Sequence, residues 1–230
     1  HNIPFILSTV TTASIETIAE ITEGRAWFQL YHPAEESVTK DILKRAETAG
    51  CPVLVILADV PSFGYRPRDI RNGLSMPPKM TLTNIMNAMK RPHWSLQTLI
   101  NGQPSFEILK PYMPKNLNLS QLAKFMDATF SGRLDEDKIK RIRDMWKGKL
   151  VLKGAESVHD VEKAYQLGLD GVIVSNHGGR QVDVGQATID SLKTIAPLYK
   201  DTITIMMDSG IRGGADVARV MASGADFSFL

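Results

Sequence analysis

Three features of the sequence predict an α/β fold built on a parallel sheet. Short apolar or β-branched runs recur along the chain, segments with apolar residues at helical three-and-four spacing separate most of them, and polar or titratable residues follow at least five of the runs. Neighbouring parallel strands need a long crossover between them, and a helix supplies it.

In chain order, the first run is Pro4 to Leu7. Ser14 with Thr17 fits a helix start, and Ile15, Ile18 and Ala19 form its apolar stripe. Ala26 to Leu30 is the second run, and Val53 to Ala58, entered after the helix stop Gly50, is the third. Leu150 to Leu152 precedes a helix that starts at Ser157 and Asp160, packs through Val161, Ala164, Tyr165 and Leu167, and stops at Gly168. Gly171 to Val174, Thr202 to Met207 and Phe227 to Leu230 complete the series.

The polar followers are Gln29 and Tyr31, Asp59, Lys153, His177 and Arg180, and Asp208. An open doubly wound sheet concentrates its chemistry at one switch point, whereas a (β/α)8 TIM barrel gathers it from many strand ends at one face. The barrel is favoured, and no G-x-G-x-x-G follows the first run. Since seven runs do not close an eight-stranded cylinder, the first strand is expected before His1 and the C-terminal end beyond Leu230. Residues 1–230 are therefore expected to form a single, partial barrel domain.

The rhythm breaks once. About ninety residues separate Asp59 from Leu150, where a barrel unit takes roughly 25 to 30. This predicts an inserted βα loop at about residues 74–130. Its stretch from Met76 to Met113 interleaves Met80, Ile85, Met86, Met89, Trp94, Leu96, Leu99, Ile100, Phe106 and Tyr112 with Lys79, Lys90, Arg91 and Lys110. The pattern suits an anionic membrane surface, an active-site lid or a subunit contact about equally well.

Composition narrows the class. A net charge of +2 gives no argument for a nucleic-acid partner. The single cysteine, Cys51, excludes an intrachain disulfide and precedes Pro52 as buried filler. The longest apolar run, Val53 to Ala58, is strand length and far below the eighteen or so residues of a membrane span.

The chemistry converges on one stretch. Val172 to Val174 ends abruptly in Ser175, Asn176, His177, Gly178, Gly179 and Arg180. Histidine exchanges a proton near neutral pH, and arginine grips a carboxylate through two parallel hydrogen bonds. A lone His-x-x-Arg is more often a strand cap beside a solvated charge, so its setting matters. Asp59, directly after a buried run, can orient a histidine. Arg66 offers a second clamp from another loop, although Arg68, Asp69 and Arg71 around it fit a solvated ion-pair cluster as well. Lys153 ends an apolar run, where a charge needs an anionic or electron-rich partner. Asp208 to Gly214, rich in glycine and carrying Arg212, enters a helix in the way a phosphate requires. There is no metal-ligand spacing and no G-x-S-x-G elbow. The residues thus point to a barrel enzyme with a phosphorylated cofactor, a carboxylate substrate and a histidine base.

SNHGGRQ (Ser175 to Gln181) together with DSGIRGGADV (Asp208 to Val217) resembles the FMN-dependent L-2-hydroxy acid dehydrogenase and oxidase family. LSTVTTASIE (Leu7 to Glu16), WFQLY (Trp27 to Tyr31), ADVPSFGYRPRDIRN (Ala58 to Asn72) and LVLKG (Leu150 to Gly154) carry the likeness along nearly the whole chain. RPHWSLQTLINGQP (Arg91 to Pro104), MDATF (Met126 to Phe130) and IRDMWKGKL (Ile142 to Leu150) are similar to its membrane-associated lactate and mandelate branch.

The resemblance implies FMN, a small L-2-hydroxy acid of lactate or mandelate type oxidised to the 2-oxo acid, and a quinone or other carrier as electron acceptor. It also implies a homo-oligomer, a tetramer in the family, and a cytoplasmic enzyme peripheral on the inner face of the bacterial cell membrane. Carried over by position, His177 is the base and Asp59 stabilises its imidazolium. Arg66 and Arg180 hold the carboxylate, and Tyr31 hydrogen-bonds near the hydroxyl or C2. Ser8 and Gln29 meet the flavin edge, Lys153 faces its reduced ring, and Ser175 and Asp208 bind the ring or ribityl chain. Arg212 and the backbone at Gly210 take the phosphate. Leu57 departs from the threonine of many relatives, and Val10 stands where the glycolate-oxidising branch has tryptophan, leaving room for a larger side chain. An oxygen-using oxidase releasing peroxide, or a barrel fragment without turnover, are the alternatives.

Overall fold

A computed structural model describes residues 3–60, 66–73, 81–102, 104–115, 117–130, 134–182 and 184–230. Its strands are β1 (Phe5–Ser8), β2 (Ala26–Leu30), β3 (Val53–Leu57), β4 (Lys149–Ala155), β5 (Gly171–Val174), β6 (Thr204–Met207) and β7 (Phe227–Ser228). All neighbours are parallel, and the sheet order follows the chain order. Helices α1 (Ile15–Ile21) and α2 (Glu36–Thr48) cross from β1 to β2 and from β2 to β3. Between β3 and β4 lie α3 (Pro67–Arg71), α4 (Leu82–Met89), α5 (Pro92–Asn101), α6 (Leu119–Thr129) and α7 (Glu136–Met145). The later crossovers are α8 (Val158–Gln166), α9 (Thr188–Tyr199) and α10 (Gly214–Ala222).

Local chemistry accounts for the helix ends. Ser14 Oγ accepts the Thr17 amide at 3.0 Å, and Ser157 with Asp160 makes a reciprocal capping box at the start of α8. Gly50 and Gly168 have left-handed φ of 80° and 73°, the conformation that ends a helix without a side-chain clash.

Side-chain alternation in the strands builds two cores. One parity, including Leu54, Ile56, Leu150, Leu152, Val172 and Val174, packs outward under the helices. The other, Val53, Val55, Val151, Ile173 and Met206 with Ile6, Trp27 and Phe229, packs within the sheet's concavity. Each fully buried side chain of this size stabilises by about 1.5–3 kcal/mol. Trp27 of β2 meets Phe229, just past β7, with ring centroids 5.8 Å apart, so the sheet is curled. These are the layers expected of a (β/α)8 barrel, with seven strands among the described residues.

All seven apolar runs hold strands, with β3, β6 and β7 shorter than their runs and β1 displaced by one residue. β4 differs in length: it continues past Lys153 to Ala155, and its register against β5 shifts between those two residues. Gly154 makes the shift possible. Its φ is 96°, and a Cβ there would lie 2.6 Å from the Cβ of Asp59. Only glycine lets the two backbones approach so closely.

The β3–β4 connection splits in two. Around the 3-10 turn Lys110–Tyr112, Ile108 and Leu109 are fully buried. Arg45 holds Glu16 at 2.9 Å and donates to the Ile108 carbonyl at 3.2 Å, the Glu107 amide donates to the Thr11 carbonyl at 3.2 Å, and Tyr112 donates to Asp41. In α4 and α5, by contrast, no side chain is buried. The apolar-basic surface expected from Met76 to Met113 is therefore shorter. Phe106 and Tyr112 pack against the barrel core, while Met76, Lys79 and Met80 lie outside the described residues.

Candidate active site

The strand pleat defines the site. Ile6, Trp27, Val55, Val151, Ile173 and Met206 face the interior, and two residues further along each strand direction stand Ser8, Gln29, Leu57, Lys153, Ser175 and Asp208. One layer is apolar. The next, at the carboxyl edge, is polar everywhere except at buried Leu57. Pairing of Ser8 with Gln29 and of Leu57 with Lys153 keeps these residues level.

Lys153 is the hub. Its Nζ lies 3.0 Å from Asp208 Oδ2 and 3.5 Å from Asp59 Oδ2, and donates to Ser175 Oγ at 2.7 Å. The same Asp59 Oδ2 is 3.3 Å from His177 Nδ1. Two carboxylates thus flank one ammonium, and Asp59 is shared between Lys153 and the imidazole. Asp59 Oδ1 is buried with no partner among the described residues, a free acceptor in a place where unpaired polar atoms are costly.

Tyr31 connects this cluster to the arginines. Burial pushes its phenol up from the ordinary value, Asp59 adds to the rise and Arg66 opposes it, so both charges bear on the hydroxyl and it remains a donor at neutral pH. Thr9 fixes its backbone: the buried Thr9 hydroxyl donates to the Gln29 carbonyl at 2.7 Å and accepts the Tyr31 amide at 3.1 Å. The Tyr31 ring meets Phe130, at the end of α6, edge-on at 5.8 Å. Glu156 stands at the same edge, its carboxyl pushed up chiefly by burial and then by Asp59 and Asp160.

Arg66 and Arg180, from different loops, line one cavity of about 760 Å³. Arg180 reaches Asp69 only at 3.8 Å, and Arg66 Nε is buried without a partner among the described residues. A fork with unused donors suits a carboxylate. Arg68 and Asp69 line the same cavity, and among the described residues Asp69 pairs with Arg180 of the other loop, not with Arg68 or Arg71 as a solvated ion-pair cluster requires.

Gly210 and Arg212 lie apart from the hub, on a smaller cavity of about 250 Å³ with Thr188 and Ser209. Arg212 is turned to Asp216, its Nε 3.3 Å from Oδ2. The structure thus groups Ser8, Gln29, Asp59, Lys153, Ser175, His177 and Asp208 along one edge, Arg66 with Arg180 beside it, and Arg212 in the neighbouring recess. Thr9, Gly154 and Ser209 were not singled out by sequence. Thr9 and Ser209 each directly follow a polar strand-end residue, the one signal that could have found them.

Comparison with known proteins identifies the family. The sequence profile described as FMN-dependent dehydrogenase matches residues 1–230. An L-lactate dehydrogenase of Bartonella tribocorum is 38% identical over 225 residues, covering 97% of this chain and 58% of the relative. The crystal structure of the monotopic membrane protein (S)-mandelate dehydrogenase superposes with a TM-score of 0.89 at 31% identity, over 99% of this chain and 60% of that one. A mandelate oxidase structure matches with a TM-score of 0.75 at 30% identity, over 99% and 56%. The chain therefore spans less than two thirds of the length of the relatives it matches.

Proposed function

Because the chain belongs to the FMN-dependent dehydrogenase family, we propose that it carries the catalytic site for oxidation of an L-2-hydroxy acid, of lactate or mandelate type, to the 2-oxo acid. The observation that carries this reading is the join between two halves: a His177–Asp59 pair on the Lys153 hub, and a cavity walled by two arginines, with Tyr31 under the influence of both. Residues 1–230 act as one FMN-binding domain with the β3–β4 connection inserted in it.

The residues fit the cofactor. Lys153 offers a cation in the polar layer formed by Ser8, Gln29, Ser175 and Asp208, and at the entrance to α10 a Cβ on Gly210, Gly213 or Gly214 would meet nothing within 4 Å. Backbone N–H groups at such an entrance, with Arg212 beside them, suit a phosphate. When bound, FMN supplies a two-electron acceptor.

The protein's own residues do the rest. Arg66 and Arg180 hold the substrate carboxylate and thereby orient C2 and its hydroxyl. With Nδ1–H donated to Asp59, the His177 lone pair is at Nε2, and that atom accepts the substrate proton. Asp59 stabilises the resulting imidazolium, as an orienting carboxylate does for a catalytic histidine. Tyr31 donates a hydrogen bond at the substrate oxygen.

The insertion supports a membrane reading. Met89, Leu96, Leu99, Ile100 and Trp94 of α4 and α5 are exposed, and between Thr81 and Gly102 the only formal charges are Lys90 and Arg91. Among the described residues no helix is long and apolar enough to cross a bilayer. The helical pair lies on an anionic leaflet, at the inner face of the bacterial membrane, and electrons leave for a quinone. The enzyme works as a homo-oligomer.

The test uses full-length, flavin-loaded protein. L-Lactate or (S)-mandelate is expected to bleach the flavin absorbance anaerobically, and no bleaching with any L-2-hydroxy acid would sink the proposal. The likeness to mandelate oxidase favours a second reading, oxygen as acceptor, which peroxide release would identify.

A further inference from the structure

His177 and Ser209 share an unusual backbone. Among the described residues only they and Glu23 are non-glycine residues with left-handed φ, 55° at His177 and 72° at Ser209. A Cβ disfavours that region, so such residues persist where their surroundings hold them. The two are tied together. The amide of Gly178, next after His177, donates to Ser209 Oγ at 3.1 Å, and Ser209 Oγ donates to Asp208 Oδ1 at 2.8 Å.

The contacts then close into a ring. Asp208 Oδ2 meets Lys153 Nζ at 3.0 Å, Lys153 donates to Ser175 Oγ at 2.7 Å, and Ser175 Oγ accepts the His177 amide at 3.2 Å. Two hydroxyls thus grip the backbone on either side of the His177 ring, and both depend on Lys153 and Asp208. The turn carrying Ser209 does not need that hydroxyl for itself, because Thr188 Oγ1 already donates to the carbonyls of Asp208 and Ser209 at 3.1 and 3.3 Å. Glycine would adopt the Ser209 conformation more readily.

We propose that Ser209 is a positioning residue for His177. Its hydroxyl, oriented by Asp208, fixes the Gly178 amide and so the left-handed turn that aims the imidazole at Asp59. The kinetic arm of this inference rests on His177 acting as the base; the structural arm does not.

Ser209→Gly in the full-length, flavin-loaded enzyme removes the hydroxyl while relieving the backbone. The melting temperature is expected to stay within about 2 °C of the parent or to rise. kcat should fall about tenfold with KM changed less than about twofold, the pattern of lost alignment. Ser209→Asn, which tolerates left-handed φ and presents a side-chain acceptor to Gly178, should recover most of that loss. The downfield proton of the His177–Asp59 hydrogen bond, followed by NMR without substrate, should broaden or vanish in Ser209→Gly and return in Ser209→Asn. It remains readable even if no hydroxy acid reacts. Parental kcat with an unchanged resonance in Ser209→Gly would overturn the proposal, as would an equal loss in both variants accompanied by a lowered melting temperature.

Discussion

The carboxyl edge of the sheet and the α4–α5 pair break the usual distribution of polarity in opposite directions. At the edge, Lys153 and Asp59 are largely enclosed, with side chains only 13% and 7% exposed. On α5, Leu99 is 82% exposed. The buried charges largely compensate one another inside the chain through Asp208, Ser175 and His177. The exposed leucines and methionines have no such answer among the described residues. On the function proposed above, the first region takes a small ionic ligand and the second an extended apolar surface.

The sharpest way to test that division is to disable the edge alone. His177→Asn should lower kcat/KM by about 10³-fold, within the range for loss of a general base, while the flavin stays bound and vesicle binding is untouched. Next in size, the paired change Leu96→Glu with Leu99→Glu removes two exposed leucines from one face of α5. At about 1.5 kcal/mol each, it should weaken binding to anionic vesicles at least a hundredfold in a cosedimentation assay and leave turnover of soluble substrate intact. Loss of both properties in either variant would merge the two regions. Arg66→Lys keeps the charge but loses the planar fork, and KM for the hydroxy acid should rise about tenfold.

The smallest expected effect separates the anchored half of the β3–β4 connection from the free half. Arg45 holds the Glu16 carboxyl down at about 2, chiefly through their hydrogen bond. A depressed carboxylate pKa stabilises the fold above its unfolded value near 4.5, and that contribution is lost as pH falls from 4.5 toward 2. Glu16 is half exposed, so solvent screening limits the pair to roughly 0.5–1 kcal/mol. Glu16→Gln should melt a few degrees lower at pH 7 and converge with the parent near pH 2.

Strand positions were legible because parallel strands covered on both faces leave short unbroken apolar runs, as at Val53 to Leu57. The polar residues that follow such runs fall at one edge of the sheet, as Lys153 does. The split within the inserted segment was not legible. Phe106 and Leu99 look alike in sequence, and what separates them is an anchor made by Glu16, Asp41 and Arg45, far earlier in the chain. The turning of Arg212 was hidden for a different, local reason: Asp216 sits one helical turn ahead and competes for its side chain. Gly154 was recognisable as part of a motif, but its need to pass against Asp59 depends on a strand pair that no local pattern records.

The contact between Trp27 and Phe229 has a kinetic meaning. Every strand pairs with its successor in the chain, so assembly can zip forward through short-range steps, yet these two rings bridge about two hundred residues. Closing so long a loop is entropically slow and pays off last. The indole emission of Trp27 should therefore settle after the far-UV dichroism does, timing the moment at which the curved sheet becomes whole.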